Sequence, residues 1–209
     1  MFQSLVAGLL ALAILAAPAQ LLPVDEASTR PDFFSFRASL QRAIAQHNAA
    51  GLLAIVHPQI KNSFGGNDGI DEFRSMWKVG DPDSEIWDVL GGVLALGGSF
   101  HDADTFVAPY VFSRWPEQFD SFEHVAVIGS SVRVRSQPDT TSSAIDTVSF
   151  AILPLARKPT DKEGWTAVQL DKQRVGYISS AYVRSPIDYR AIFRFENRRW
   201  QLVTLVSGD

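Results

Sequence analysis

Between residues 124 and 184 the chain breaks into a succession of short runs, each too brief for a helix. They read V-R-V-R-S-Q-P at 132–138, A-I-D-T-V at 144–148, G-W-T-A-V at 164–168 and R-V-G-Y-I-S-S-A-Y-V at 174–183. Ser, Thr, Asp, Gly and Lys separate them. Short β-branched and aromatic runs punctuated by turn formers read as strands, and several close together read as a small sandwich or barrel. Alternation puts Trp165, Ala167 and Gln169 on one face of a strand and Thr166, Val168 and Leu170 on the other. In Val175-Gly176-Tyr177 a small residue stands where two backbones approach closely.

The order of these runs resembles the bacterial SH3 family, SH3b. A V-x-V-R-x-x-P opening matches Val132, Val134, Arg135 and Pro138. The G-W pair of a central strand is Gly164-Trp165, and the closing pattern is Gly176, Tyr177, Ile178, Tyr182 and Val183. Two positions depart from the family pattern: Asp146 stands where glycine is common, and Phe150-Ala151 where a polar-Gly pair turns the chain. The resemblance implies an SH3-like β-barrel over residues 124–184, used as a docking module. It also implies a ligand surface carried by Trp165, Tyr177 and Tyr182, since aromatics give large contact area at low entropic cost. Arg135, with Arg133, would meet acidic groups of an envelope polymer. The plainer alternatives are that Trp165 or Tyr177 is barrel core and that the arginines are a solvated strand face.

Residues 20–123 read as helix-rich. Asp32 is a candidate N-cap, followed by Phe33, Phe36, Leu40 and Ile44 at steps of three and four, which reads as one amphipathic helix, or two with a break near Gly51, ending before Pro58. A short strand is expected over 60–64 and a turn over 65–69. A helix is expected over 70–77, and another opens at Pro82-Asp83-Ser84, carries Ile86, Val89, Leu90 and Val93, and closes at Gly97-Gly98. Residues 105–115 look extended and buried, with Pro109 arguing against a central strand. The lead-in 21–31 looks loose. At the other end, Tyr189, Ala191, Phe193 and Phe195 alternate with polar or outward residues, and 200–206 follows after a short turn, so 185–209 reads as a hairpin. Two strands alone are marginal in water. The expected fold is therefore α+β: the helix-rich region and the C-terminal hairpin form one unit, and the barrel lies between them in sequence. Element order, with S-F-G-G-N-D-G-I-D-E-F-R-S-M-W at 63–77, also loosely resembles the NTF2-like (SnoaL-like) cone. That resemblance implies an apolar pocket lined by Phe64, Trp77, Phe106 and Tyr110, with His47 or His57 and a nearby Asp as acid/base, for a small molecule.

Residues 5–17 are uncharged and apolar and end in Ala17-Pro18-Ala19, a small-x-small cleavage pattern, so residues 1–19 read as a signal peptide. The n-region carries no Lys or Arg, which leaves an uncleaved anchor or a late start as the rival reading. The run is shorter than the roughly 20 residues that span a bilayer, and no later stretch is long and apolar enough, so no stable transmembrane anchor is expected. Export to the periplasm or the extracellular space follows.

A net charge of −4 argues against phosphate-neutralising nucleic-acid binding. That total hides 7 basic against 15 acidic residues over 20–123, a net of −8, and 12 against 8 over 124–209, a net of +4. The absence of cysteine removes thiolate chemistry, including the cysteine peptidases to which SH3b modules are often joined. No G-x-S-x-G, H-E-x-x-H, phosphate loop or dinucleotide fingerprint is present. His101, Asp102 and Asp104 have neither helical metal spacing nor a calcium-loop pattern, and the carboxylates at 68–88 mostly sit at helix starts, where they offset the dipole. No catalytic residue, metal or cofactor is expected. The expected role is a non-enzymatic binding protein for peptidoglycan or an envelope peptide, with a small-molecule pocket or a purely structural barrel as alternatives.

Overall fold

The computed structural model describes residues 18–157 and 162–208. The segment read as the apolar core of a signal peptide, 5–17, lies outside the described residues.

The fold is mixed α+β. Helix α1 (Pro31–Ala45) starts at Pro31, whose missing N–H is no loss in the first turn. The N-cap position is therefore Arg30 and not Asp32, which sits in the first turn and accepts hydrogen bonds from Trp200 Nε1 at 3.1 Å and Arg30 Nε at 3.0 Å. The buried stripe is Phe33, Arg37, Leu40 and Ile44. Arg37 tolerates burial because its guanidinium grips both oxygens of Asp25, at 2.7 and 2.8 Å. The helix breaks at His47, which takes a positive φ of 49°. Asn48 then caps α2 (Ala49–Leu53) by accepting from Gly51 N. The break thus precedes Gly51, which lies inside α2.

Strand β1 (Val56–Lys61) begins earlier than expected and contains Pro58. Helix α3 (Ile70–Trp77) follows, then α4 (Ile86–Ala95), which closes before Gly97 and Gly98 as its pattern suggested. Strand β2 (Ser99–Asp102) was not anticipated; it turns back tightly into β3 (Thr105–Ala108), with Asp102 Oδ1 accepting from Asp104 N. Only the first four residues of 105–115 are extended, because Pro109 ends β3 and Tyr110 opens a helical turn, α5 (Tyr110–Ser113). The terminal strands, named here β11 (Arg190–Glu196) and β12 (Arg199–Val206), are joined by Asn197-Arg198, both at positive φ, the geometry of a primed hairpin turn.

These strands form a five-stranded sheet in the order β1-β12-β11-β3-β2. The C-terminal hairpin occupies its middle, antiparallel to β3, while β12 runs parallel to β1. Pro58 is tolerated because β1 is an edge strand, and β3 is interior because Pro109 follows its last ladder residue. Phe33, Phe73, Phe106, Phe193, Leu202 and Leu205 are fully buried in the core between this sheet and the helices.

Residues 124–184 supply β4 (His124–Val127), β5 (Val132–Arg135), β6 (Ala144–Val148), β7 (Ile152–Pro154), β8 (Trp165–Gln169), β9 (Val175–Ser179) and β10 (Val183–Arg184). Their ladders do not close into one barrel. They form a three-stranded sheet, β10-β4-β7, and a four-stranded sheet, β6-β5-β9-β8, linked from the end of β7 by the isolated bridge Leu155–Val168. Val125, Val127, Val132, Val134, Val168 and Ile178 pack in the cluster shared by the two sheets. A Cβ on Gly176 would overlap Val134 Cγ1, which accounts for the glycine in β9.

The lead-in is not loose. Its backbone pairs with both halves of the protein. Leu21 N donates to Phe150 O at 2.7 Å, and Ile152 N to Ala19 O at 2.8 Å, the second a bond that cleavage after Ala19 would remove. Five residues on, Gly98 N donates to Val24 O at 3.0 Å and Glu26 N to Gly98 O at 2.9 Å. This strap, with a buried apolar layer of Leu21, Tyr110, Val111, Ala126 and Ile152, fastens the three-stranded sheet to the α+β unit. Among the described residues no helix is long and apolar enough to cross a membrane.

Candidate binding cleft

The four-stranded sheet turns its β5 arginines outward, because Val132 and Val134 fill the core and side chains alternate along a strand. Antiparallel register sets Arg135 opposite Tyr177, Ala167 opposite Tyr177, and Trp165 opposite Ser179. Arg133, Arg135, Trp165, Ala167, Tyr177 and Ser179 therefore share one face.

That face is divided. At one end Ala156, Ala167 and Tyr177 pack together, with Val175 and Trp165 against them, and Tyr177 is only 8% exposed. Tyr177, expected at a ligand surface, is thus a buried packing residue. Its place at the middle of the sheet, under the chain that leaves β7, buries it. At the other end lies an open cleft of about 470 Å³. Arg133, Arg135, Trp165 and Tyr182 line it, with Val132 and the hydroxyl-bearing Ser130, Ser131, Thr140 and Ser179. No residue of the N-terminal helices contributes to it. Tyr182 is 52% exposed, on a single turn of 3-10 helix. Its carbonyl accepts from Ile128 N at 2.9 Å, and a Cβ on Gly129 would stand 2.9 Å from Val132 Cγ2 and 3.4 Å from Tyr182 Cδ1. Glycine there lets Tyr182 lie close to the strand.

Of the four side chains expected at a ligand surface, the fold brings Arg135, Trp165 and Tyr182 together and withdraws Tyr177. The hydroxyls were not foreseen; the only signal was the Ser130-Ser131 pair just before the V-R-V-R run. Asp139 lies near the cleft, but its carboxylate accepts from the Thr141 hydroxyl, Thr141 N and Ser142 N in its own loop. The Thr141 hydroxyl leads these bonds in holding its pKa below the usual carboxylate value.

A larger cleft, about 1010 Å³, runs between the strap at Ala19-Gln20, β7 and the β8–β9 turn. Its charges are largely satisfied among themselves. Asp171 accepts from the Arg174 side chain at 2.5 Å and from the backbone N–H groups of Gln173 and Arg174, which lowers its pKa to about 2. Size alone does not make it the better candidate, since none of the aromatic–arginine set lines it.

The side chains expected in a cone pocket lie apart. Trp77 and Phe106 belong to the main core, Tyr110 to the layer under the three-stranded sheet, and Phe64 is 47% exposed beneath Lys61 Nζ. His47 stacks on Trp87, and His57 accepts from Gln59 N through Nδ1 and faces Glu196 at 3.8 Å. No family model matches the chain, and no curated protein is significantly similar to it.

Proposed function

We propose that this is an exported, non-enzymatic binding protein whose residues 124–184 act as an SH3b-like docking module for a cell-envelope ligand, a peptide or peptidoglycan. The observation that carries this reading is the convergence of Arg135, Trp165 and Tyr182 on one solvent-open cleft to which no N-terminal helix contributes a residue. The three span 47 residues of sequence, yet strand register sets Arg135 and Trp165 on one face and the turn after β9 brings Tyr182 beside them. A half-buried Trp165 and an exposed Tyr182 beside arginines are the residue types that dominate binding energy at interfaces. The strap and its apolar layer hold the three-stranded sheet on the α+β unit, and none of their residues lines the cleft.

The purified protein is expected to be retained on peptidoglycan sacculi in a pull-down. The double variant Trp165→Ala/Tyr182→Ala should bind at least about tenfold more weakly, as loss of two aromatic anchors commonly does. Retention unchanged by the double variant, or no retention of the parent, defeats the wall-ligand reading.

A further inference from the structure

Resting on that cleft as the binding site, we infer that its ligand is a peptide segment bearing a carboxylate, recognised by Arg133 and Arg135. The two arginines alternate with core valines on β5, so their side chains leave the same face about 7 Å apart. Arg133 is exposed and has no ion-pair or hydrogen-bond partner among the described residues. Arg135 donates only to the neutral carbonyl of Ser142. Six other arginines pair with carboxylates, Arg30 with Asp32, Arg37 with Asp25, Arg114 with Glu26, Arg174 with Asp171, Arg184 with Asp188 and Arg194 with Glu196; Arg42, Arg74, Arg198 and Arg199 have no ion pair among the described residues, and what Arg133 and Arg135 add is that they line one cleft together.

Among the described residues no carboxylate lines the cleft. Asp139, the acidic group on the adjoining loop, is turned into that loop by three bonds and is not offered to either guanidinium. Two like charges side by side repel, and a carboxylate between them relieves that repulsion while gaining charge-assisted hydrogen bonds. The serine and threonine hydroxyls add neutral donors around the same point. Trp165 supplies a flat wall for the chain that carries the acid, and about 470 Å³ accommodates a few residues rather than a folded surface. A neutral peptide would leave both guanidinium groups without a counter-charge, so affinity and selectivity both follow from the acid.

Two probes test this. In the first, sacculi are compared before and after their carboxylates are converted to amides with carbodiimide and ammonia. In the second, the tripeptide acetyl-Glu-Ala-Ala is titrated against its uncharged counterpart acetyl-Gln-Ala-Ala-amide while the Trp165 indole N–H is followed by NMR. Native sacculi should retain the protein and amidated sacculi should not. The acidic tripeptide should move the Trp165 resonance and the neutral one should leave it in place. Arg133→Gln, at an exposed side chain with no partner to lose, should weaken both responses about tenfold with an otherwise unchanged amide spectrum, and added salt should do the same to the parent. Equal binding of acidic and amidated probes overturns the carboxylate inference while leaving the cleft as a wall-binding site. Binding of neither sacculi nor tripeptide overturns the inference and the functional reading together.

Discussion

Gly98→Ala lowers the stability of the folded protein by about 3 kcal/mol, the upper part of the range for forcing atoms into a packed site. The reason is local and geometric. A Cβ at Gly98 would fall inside the van der Waals envelope of the Val107 carbonyl oxygen, and it would stand 2.9 Å from the Phe106 ring. A carbonyl in a β-ladder cannot rotate away as a side-chain tip can, so β2 and β3 must part. Gly98 is also where the strap is tied, through its own N–H and carbonyl. Parting β2 from β3 therefore also strains the pairing of Val24 and Glu26. The measurement is denaturant unfolding of parent and variant. Gly92→Ala is the matched control, since nothing lies within 4 Å of the added methyl and Gly92 sits inside α4. Alanine in a helix interior is favoured over glycine by about 1 kcal/mol, so this variant should gain stability. Opposite signs for the same chemical change isolate the close approach at Gly98. A loss below about 1 kcal/mol at Gly98 would mean that β2 and β3 can separate freely.

What the sequence made legible depended on whether side chains or backbone carry the pairing. The terminal hairpin was readable because Ala191, Phe193 and Phe195 alternate with outward residues, and α3 because Phe73 and Trp77 fall four apart. The strap was not. Its bonds are made by Ala19 O, Leu21 N, Val24 O and Glu26 N, and main-chain groups leave no trace in residue type. β2 escaped notice for a related reason: four residues ending in His101-Asp102 carry too little apolar pattern, and the strand exists because β3 and the strap flank it. β1 was displaced toward 60–64 because the apolar pattern was carried as helix up to Pro58, whereas α2 stops at Leu53 and the strand runs through Pro58 at the sheet edge.

The candidate site divides the same way. Trp165, Tyr177 and Tyr182 are indistinguishable as aromatics in a β-rich region, and residue type cannot say which is covered. Register decides. Tyr177 sits opposite both Arg135 and Ala167, in the middle of the sheet, while Trp165 opens β8 and Tyr182 lies on the turn beyond β9. That Asp139 does not line the cleft was equally invisible, because it is close in sequence and its carboxylate is held by its own loop.

Phe33→Ala should cost about 3–5 kcal/mol, a large share of the roughly 5–15 kcal/mol that holds a domain together. Phe33 is fully buried, and its ring meets those of Phe106 at 4.2 Å, Trp200 at 4.7 Å, Phe100 at 5.5 Å, Phe36 at 5.8 Å and Phe193 at 5.9 Å. These partners lie on α1, β2, β3, β11 and β12, so one side chain from the first helix joins both ends of the chain. Truncation removes the transfer energy of the ring and leaves a cavity whose walls are other large rings, which cannot collapse inward without breaking their own contacts. The expected shift is about 10 °C in Tm for a protein of this size. Phe34→Ala is the comparison: its neighbouring ring is 48% exposed, and its loss should fall within about 0.5 kcal/mol of the parent. Phe33→Leu should recover most of the stability, because volume matters more here than aromaticity. If thermal melts place Phe33→Ala beside Phe34→Ala, the α+β unit does not draw its cohesion from the aromatic cluster. Its cohesion would then rest on the five-stranded sheet and the aliphatic part of the core, Leu40, Leu52, Leu90, Leu202 and Leu205.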